Sequence, residues 1–90
     1  MTKFFFDNIL SFLMTSYKFK VSCEDKTEII ESNRNIFTYM DFKQLLHSKV
    51  STILPSVYEI AVGLYKWNSE STLTLENRAE INIISLHNPA

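Results

Sequence analysis

The chain has 90 residues, 46% of them hydrophobic and 21% charged, with a net charge of −1, which bounds it to one small domain with a thin core in which each large apolar side chain counts. The absence of a basic excess excludes the usual electrostatic footprint of a nucleic-acid binder. Cys23 is the only cysteine, so no intramolecular disulfide can form, and no Asn-x-Ser/Thr acceptor occurs; both point to a reducing, cytoplasmic setting.

The first segment is apolar. Phe4, Phe5, Phe6, Ile9, Leu10, Phe12, Leu13 and Met14 are broken only by Asp7, Asn8 and Ser11. A membrane span needs about 20 apolar residues, and a signal peptide needs a cleaner run with a small-residue cleavage site. Lys3, Asp7 and Ser11 share one narrow helical face, so residues 1–16 are expected to form an amphipathic helix, an appendage to the domain. It either packs on the domain or serves as an anchor, touching a membrane or a partner groove through residues 4–14. Met14-Thr15-Ser16 also makes a plausible chain start.

Residues 17–86 form the expected domain. Tyr17, Phe19, Val21 and Cys23 alternate with Lys18, Lys20 and Ser22, a half-buried strand with one wet face. Glu24-Asp25-Lys26 reads as a turn, Thr27 to Ser32 as a second strand, and Ser32 to Asn35 as a loop. A helix follows, with Thr38 as N-cap, Asp41 three residues on, and Phe37 and Phe42 placed as a hydrophobic staple. Its apolar stripe is Phe42, Leu45, Leu46, Val50 and Ile53, and Pro55 is expected to end it. Tyr58, Ile60, Val62 and Leu64 alternate as a third strand, with the only glycine, Gly63, inside it as a bulge or close approach. Trp67 to Ser71 is a polar turn and Thr72 to Leu75 a short fourth strand. Glu80 to Ser85 is either a last strand or, with Asn77 as N-cap, part of a short helix.

Little in the chain suggests chemistry. One glycine cannot make a phosphate-binding loop, and His47, His87 and Cys23 lack metal-ligand spacing, so neither a metal nor a cofactor is expected. Cys23, His47 and Asp41 are conceivable as a nucleophile set, but Cys23 falls on the apolar parity of its strand, the place of a small buried hydrophobe. His47 reads as a helix-surface residue without a partner. The expectation is a protein that is not an enzyme.

Two strands, a helix and a strand pair suggest an α+β fold, and the residues resemble a known family. Lys18-Phe19-Lys20-Val21, Ile29-Ile30, the helix entry from Phe37 to Leu46, Tyr65-Lys66-Trp67, Leu73-Thr74-Leu75 and Glu80-Ile81 are similar to a Phox-and-Bem-one (PB-one) interaction domain of the ubiquitin-like β-grasp group. The resemblance implies a β-β-α-β-β arrangement, with one main helix packed on a mixed sheet, and front-to-back pairing with a protein partner. In such pairing a first-strand lysine meets an acidic loop, which assigns Lys20, with Lys18 beside it, as partner-binding residues. The chain departs from the family in three places. Trp67-Asn68-Ser69-Glu70-Ser71 carries one carboxylate where the family has an acidic run. Glu28-Ile29 stands where paired arginines are common. Leu86 to Ala90 leaves no room for both a closing helix and a fifth strand, as in a degenerate or truncated member. By direct alignment Ala61 and Gly63 turn inward, whereas alternation turns Ile60, Val62 and Leu64 inward. The other function considered is that of a small α+β protein acting through its apolar N-terminal helix.

Overall fold

The computed structural model describes residues 16–86. The apolar N-terminal helix expected within residues 1–16 falls on residues 1–15, outside the described residues.

Alternation produces the first hairpin as expected. β1 (Tyr17–Cys23) and β2 (Lys26–Ser32) pair antiparallel from Tyr17↔Ser32 to Cys23↔Lys26. The turn is only Glu24-Asp25, and Glu24 takes a φ of +56° to close it. Phe19, Val21, Cys23 and Ile30 are buried on one face, while Lys18 and Lys20 stand exposed on the other.

The chain then enters β3 (Ile36–Thr38) and α1 (Tyr39–Lys49). Thr38 is the N-cap: its Oγ1 accepts the Asp41 N–H at 3.1 Å. The Phe37 and Phe42 rings meet edge-on at 5.2 Å, the staple expected from their spacing. Asp41 in the first turn and His47 and Lys49 in the last complement the helix dipole.

The helix does not reach Pro55. It ends at Lys49, Val50 caps it with an N–H to Leu46 O bond of 2.8 Å, and Ser51–Ile53 form a 3₁₀ turn. Val50 leaves helical geometry and is 3% exposed, so its side chain is buried at the point where the backbone turns. Ser51 and Thr52 favour non-helical backbone, and Pro55 restricts only the residue before it.

β4 (Tyr58–Val62) follows the alternation: Tyr58 and Ile60 are buried and Val62 half-buried. It stops there. Gly63 and Leu64 form a two-residue turn to β5 (Tyr65–Lys66), with Val62 opposite Tyr65. Gly63 adopts φ +58°, the conformation such hairpin turns require, so the glycine marks a turn and not a bulge. Leu64, expected inward, is fully exposed at its tip. Ala61 lies on the opposite parity from Ile60 and is nonetheless 7% exposed, opposite Lys66 and Asn82 in the ladders.

β6 (Thr72–Thr74) joins β3 in a separate two-stranded sheet, and β7 (Glu80–Ser85) is a strand, not a helix. β7 runs parallel to β1 and antiparallel to β4. The mixed five-stranded sheet therefore has the order β2-β1-β7-β4-β5. The fold is α+β. One face of the sheet buries Phe19, Val21, Ile60 and Ile81 with Phe42 and Leu46 of α1, the usual way for a stripe and a sheet face to leave water together. Each such burial contributes about 1.5–3 kcal/mol. Lys18 and Lys20 are left on the face away from this core.

Candidate partner-binding surface

Both predicted site residues occupy the outer face of β1. Lys18 is opposite Glu31, and Lys20 lies between Ile29 of β2 and Glu80 of β7. A third cation joins them. Lys18, Lys20 and Arg78 line one shallow depression together with Ile29 and Glu80.

Arg78 is brought there by backbone bonds. The segment from Glu76 to Ala79 is stitched to β1 just ahead of the parallel ladder. Lys18 N–H donates to Asn77 Oδ1 at 2.9 Å, Arg78 N–H to Lys18 O at 2.6 Å, and Lys20 N–H to Ala79 O at 3.0 Å. Ala79 N–H closes the turn on Glu76 O at 3.1 Å. Arg78 takes φ +67° to do this, a left-handed conformation costing a non-glycine residue about 1–2 kcal/mol. The bonds on either side hold it there.

The charges are unevenly neutralised. Lys18 Nζ lies 3.9 Å from Glu31 Oε1, both side chains mostly exposed, a pair worth well under 1 kcal/mol. Glu80 borders Lys20 in the ladder and offsets part of its field. Among the described residues, neither Lys20 nor Arg78 forms an ion pair. Ile29, 57% exposed, gives the patch an apolar flank on β2.

Arg78 was not legible as a site residue because nothing near it in sequence is basic. Its signal lies in topology: once the last strand runs parallel beside the first, the residues preceding it must lie against the start of β1.

The remaining candidates are engaged locally. Cys23 is buried, and burial, reinforced by Glu24, pushes its thiol above the ordinary value, with Lys26 opposing; the protonated form is an inert one. Asp41 accepts from Arg34 Nη2 at 3.0 Å, and that guanidinium also stacks over Phe37 at 4.7 Å. The Arg34 hydrogen bond, then that of Thr38, holds the Asp41 carboxyl below the usual range. His47, expected without a partner, has one: its Nε2 lies 3.1 Å from the Tyr58 hydroxyl. Burial raises the Tyr58 phenol above its ordinary value. Cys23, His47 and Asp41 thus sit in three different settings. His87 lies outside the described residues, and among those described no cluster of three or more potential metal ligands occurs.

The loop after β5 carries one acid. Trp67 is buried and its Nε1–H donates to Ser71 O at 3.0 Å, while Glu70 N–H donates to Asn68 Oδ1 at 2.9 Å. Those bonds shape the loop and leave the Glu70 carboxylate in solvent. Among the described residues no helix is long and apolar enough to cross a membrane. Comparison with protein-family models, with curated proteins and with solved structures gives no match.

Proposed function

We propose that this chain is a ubiquitin-like β-grasp interaction module, of the PB-one kind in reduced form, that works in the cytoplasm and binds an acidic protein surface through Lys20, Lys18 and Arg78. The sheet order, with its parallel β1–β7 pair and a single helix packed on one face, supports the β-grasp part of this reading. The observation that carries the binding part is that three cations from two distant segments line one depression, with Ile29 on its β2 side. Arg78 supplies, from the loop before β7, positive charge that Glu28-Ile29 on β2 does not. Glu70 alone does not make the complementary acidic surface, so the module receives an acidic partner and does not offer one.

Such contacts act at an interface rim, where charge complementarity sets orientation and association rate as much as affinity. The test is titration of the 90-residue chain with a glutamate-rich synthetic peptide at low and high salt. Lys20→Ala should weaken binding, and Lys20→Glu should weaken it further, because repulsion is added to lost attraction. Salt should weaken it too, since exposed charges are screened within about 10 Å at 0.1 M. Glu70→Ala should leave it unchanged. Equal binding by the native chain and the Lys20→Glu variant, without salt dependence, would refute the electrostatic mechanism.

A further inference from the structure

Building on this reading, we infer that the acidic partner binds as an extended segment that adds an antiparallel strand to the edge of β2 that is free among the described residues. β2 is a seven-residue strand at one end of the sheet and, among the described residues, pairs only with β1. The other edge strand, β5, has two residues. The two-residue turn after Cys23 makes Cys23–Lys26 the hydrogen-bonded closing pair of the hairpin. Lys26, Glu28, Ile30 and Ser32 therefore turn their backbone groups toward β1. Thr27, Ile29 and Glu31 turn theirs away from the sheet. The bonds from Lys18 and Lys20 to the other flank of β1 agree with this phase. None of Thr27, Ile29 and Glu31 has a backbone partner among the described residues.

An uncovered edge with unpaired N–H and C=O groups is a template for another strand. Charge selects the occupant. Thr27, Ile29 and Glu31 share the outer face with Lys18 and Lys20, and Ile29 is the direct neighbour of Lys20. A residue opposite Ile29 in an added strand lies two strand spacings from β1, about 9.6 Å. A lysine laying its methylenes along Ile29 and an extended glutamate span that gap. Arg78 lines the same depression. Lys26, Glu28 and Glu31 keep the edge charged, which discourages unspecific pairing. The segment that fits is extended, with its carboxylates on the face of the cations: the one opposite Ile29 lies nearest Lys20, and Glu31 disfavours a carboxylate opposite itself.

A ten-residue peptide alternating glutamate and threonine tests this against the full chain. Two methylated versions separate backbone from charge in this antiparallel pairing: one blocked at the glutamate nitrogens, which face β2 when the carboxylates face the cations, the other at the threonine nitrogens, which face solvent. Strand addition predicts that the first loses roughly fivefold to tenfold in affinity per missing bond, while the second keeps its affinity. It also predicts slowed hydrogen exchange at Thr27, Ile29 and Glu31. Equal binding of both methylated peptides, still sensitive to Lys20→Glu, would overturn strand addition and leave the proposed electrostatic module standing. No binding of any version at about millimolar peptide would overturn both.

Discussion

Phe42 is the side chain on which the arrangement of helix over sheet depends. It is fully buried, and its ring lies 5.2 Å from Phe37, 6.3 Å from Phe19 and 5.2 Å from Trp67. It thereby ties the helix entry, β1 and the loop after β5 into one cluster. Phe42→Ala removes a buried ring from a site with aromatic neighbours on three sides, a class of change costing about 3–5 kcal/mol. The edge-on pairs place the cost toward the upper end. A domain of this size holds roughly 5–13 kcal/mol in all, so the variant loses from about a quarter of its stability to all of it. Phe42→Leu, which keeps most of the volume, should cost about 1–1.5 kcal/mol. Met40 is on the same helix but 59% exposed, so Met40→Ala should stay within about 0.5 kcal/mol. Denaturant titration followed by fluorescence of Trp67, the only tryptophan, reads the cluster directly. A loss below about 1 kcal/mol for Phe42→Ala would refute the packing described here.

Three further outcomes are expected. Thr38→Ala should cost about 1 kcal/mol by removing the side-chain acceptor for Asp41 N–H, whereas Thr38→Ser should be nearly silent; an unchanged denaturation midpoint in Thr38→Ala would place the helix start elsewhere. Asp41 is held below the ordinary carboxylate value by Arg34 and Thr38. Its contribution is therefore present above the unfolded-state value and lost as pH falls through the lower folded one. Arg34→Ala should flatten the pH dependence of unfolding below about pH 4. Arg78→Gly relieves a left-handed arginine while adding unfolded-chain entropy, so thermal stability should change by no more than about 1 kcal/mol as affinity for the glutamate-rich peptide falls. A large loss of stability would show that Arg78 has a packing role instead.

Elements that bury one face over several residues were legible. β1 announces itself through Tyr17, Phe19, Val21 and Cys23, whereas Ile81 and Ile83 alone leave Glu80 to Ser85 open between strand and helix, and pairing with β1 and β4 decides for the strand. The helix start was legible because a cap, an acid and a staple mark the same boundary. Its end was not, because the deciding event is the turning of Val50 at the chain reversal, a tertiary effect that overrides local preference. β3 has three residues, too few for a period to appear, and exists because Ile36 to Thr38 find Thr72 to Thr74, within the short strand expected over Thr72 to Leu75. Gly63 was ambiguous for a related reason. A glycine in an alternating run suggests a bulge or a close approach, and only the pairing of Val62 with Tyr65 shows that the strand has already ended in a turn.

The surface divides in the same way. Lys18 and Lys20 were placed by parity, a property of β1 alone. Arg78 was not, because its position depends on a contact between segments 59 residues apart, Lys18 N–H with Asn77 Oδ1. On the proposed PB-one reading, that dependence changes what the departures from the pattern mean. Isoleucine at position 29 removes a charge from β2 but leaves an apolar, half-covered edge residue beside Lys20. The charge reappears on the far flank of β1, at Arg78, held by bonds to the backbone of Lys18 and Lys20 themselves. The cations thus stand back from the strand edge, whose outward backbone groups have no partner among the described residues. A surface that met its partner through side chains alone has no need of an accessible edge. The proposed reading of an extended acidic segment needs both, and among the described residues β2 with Ile29 beside Lys20 offers them.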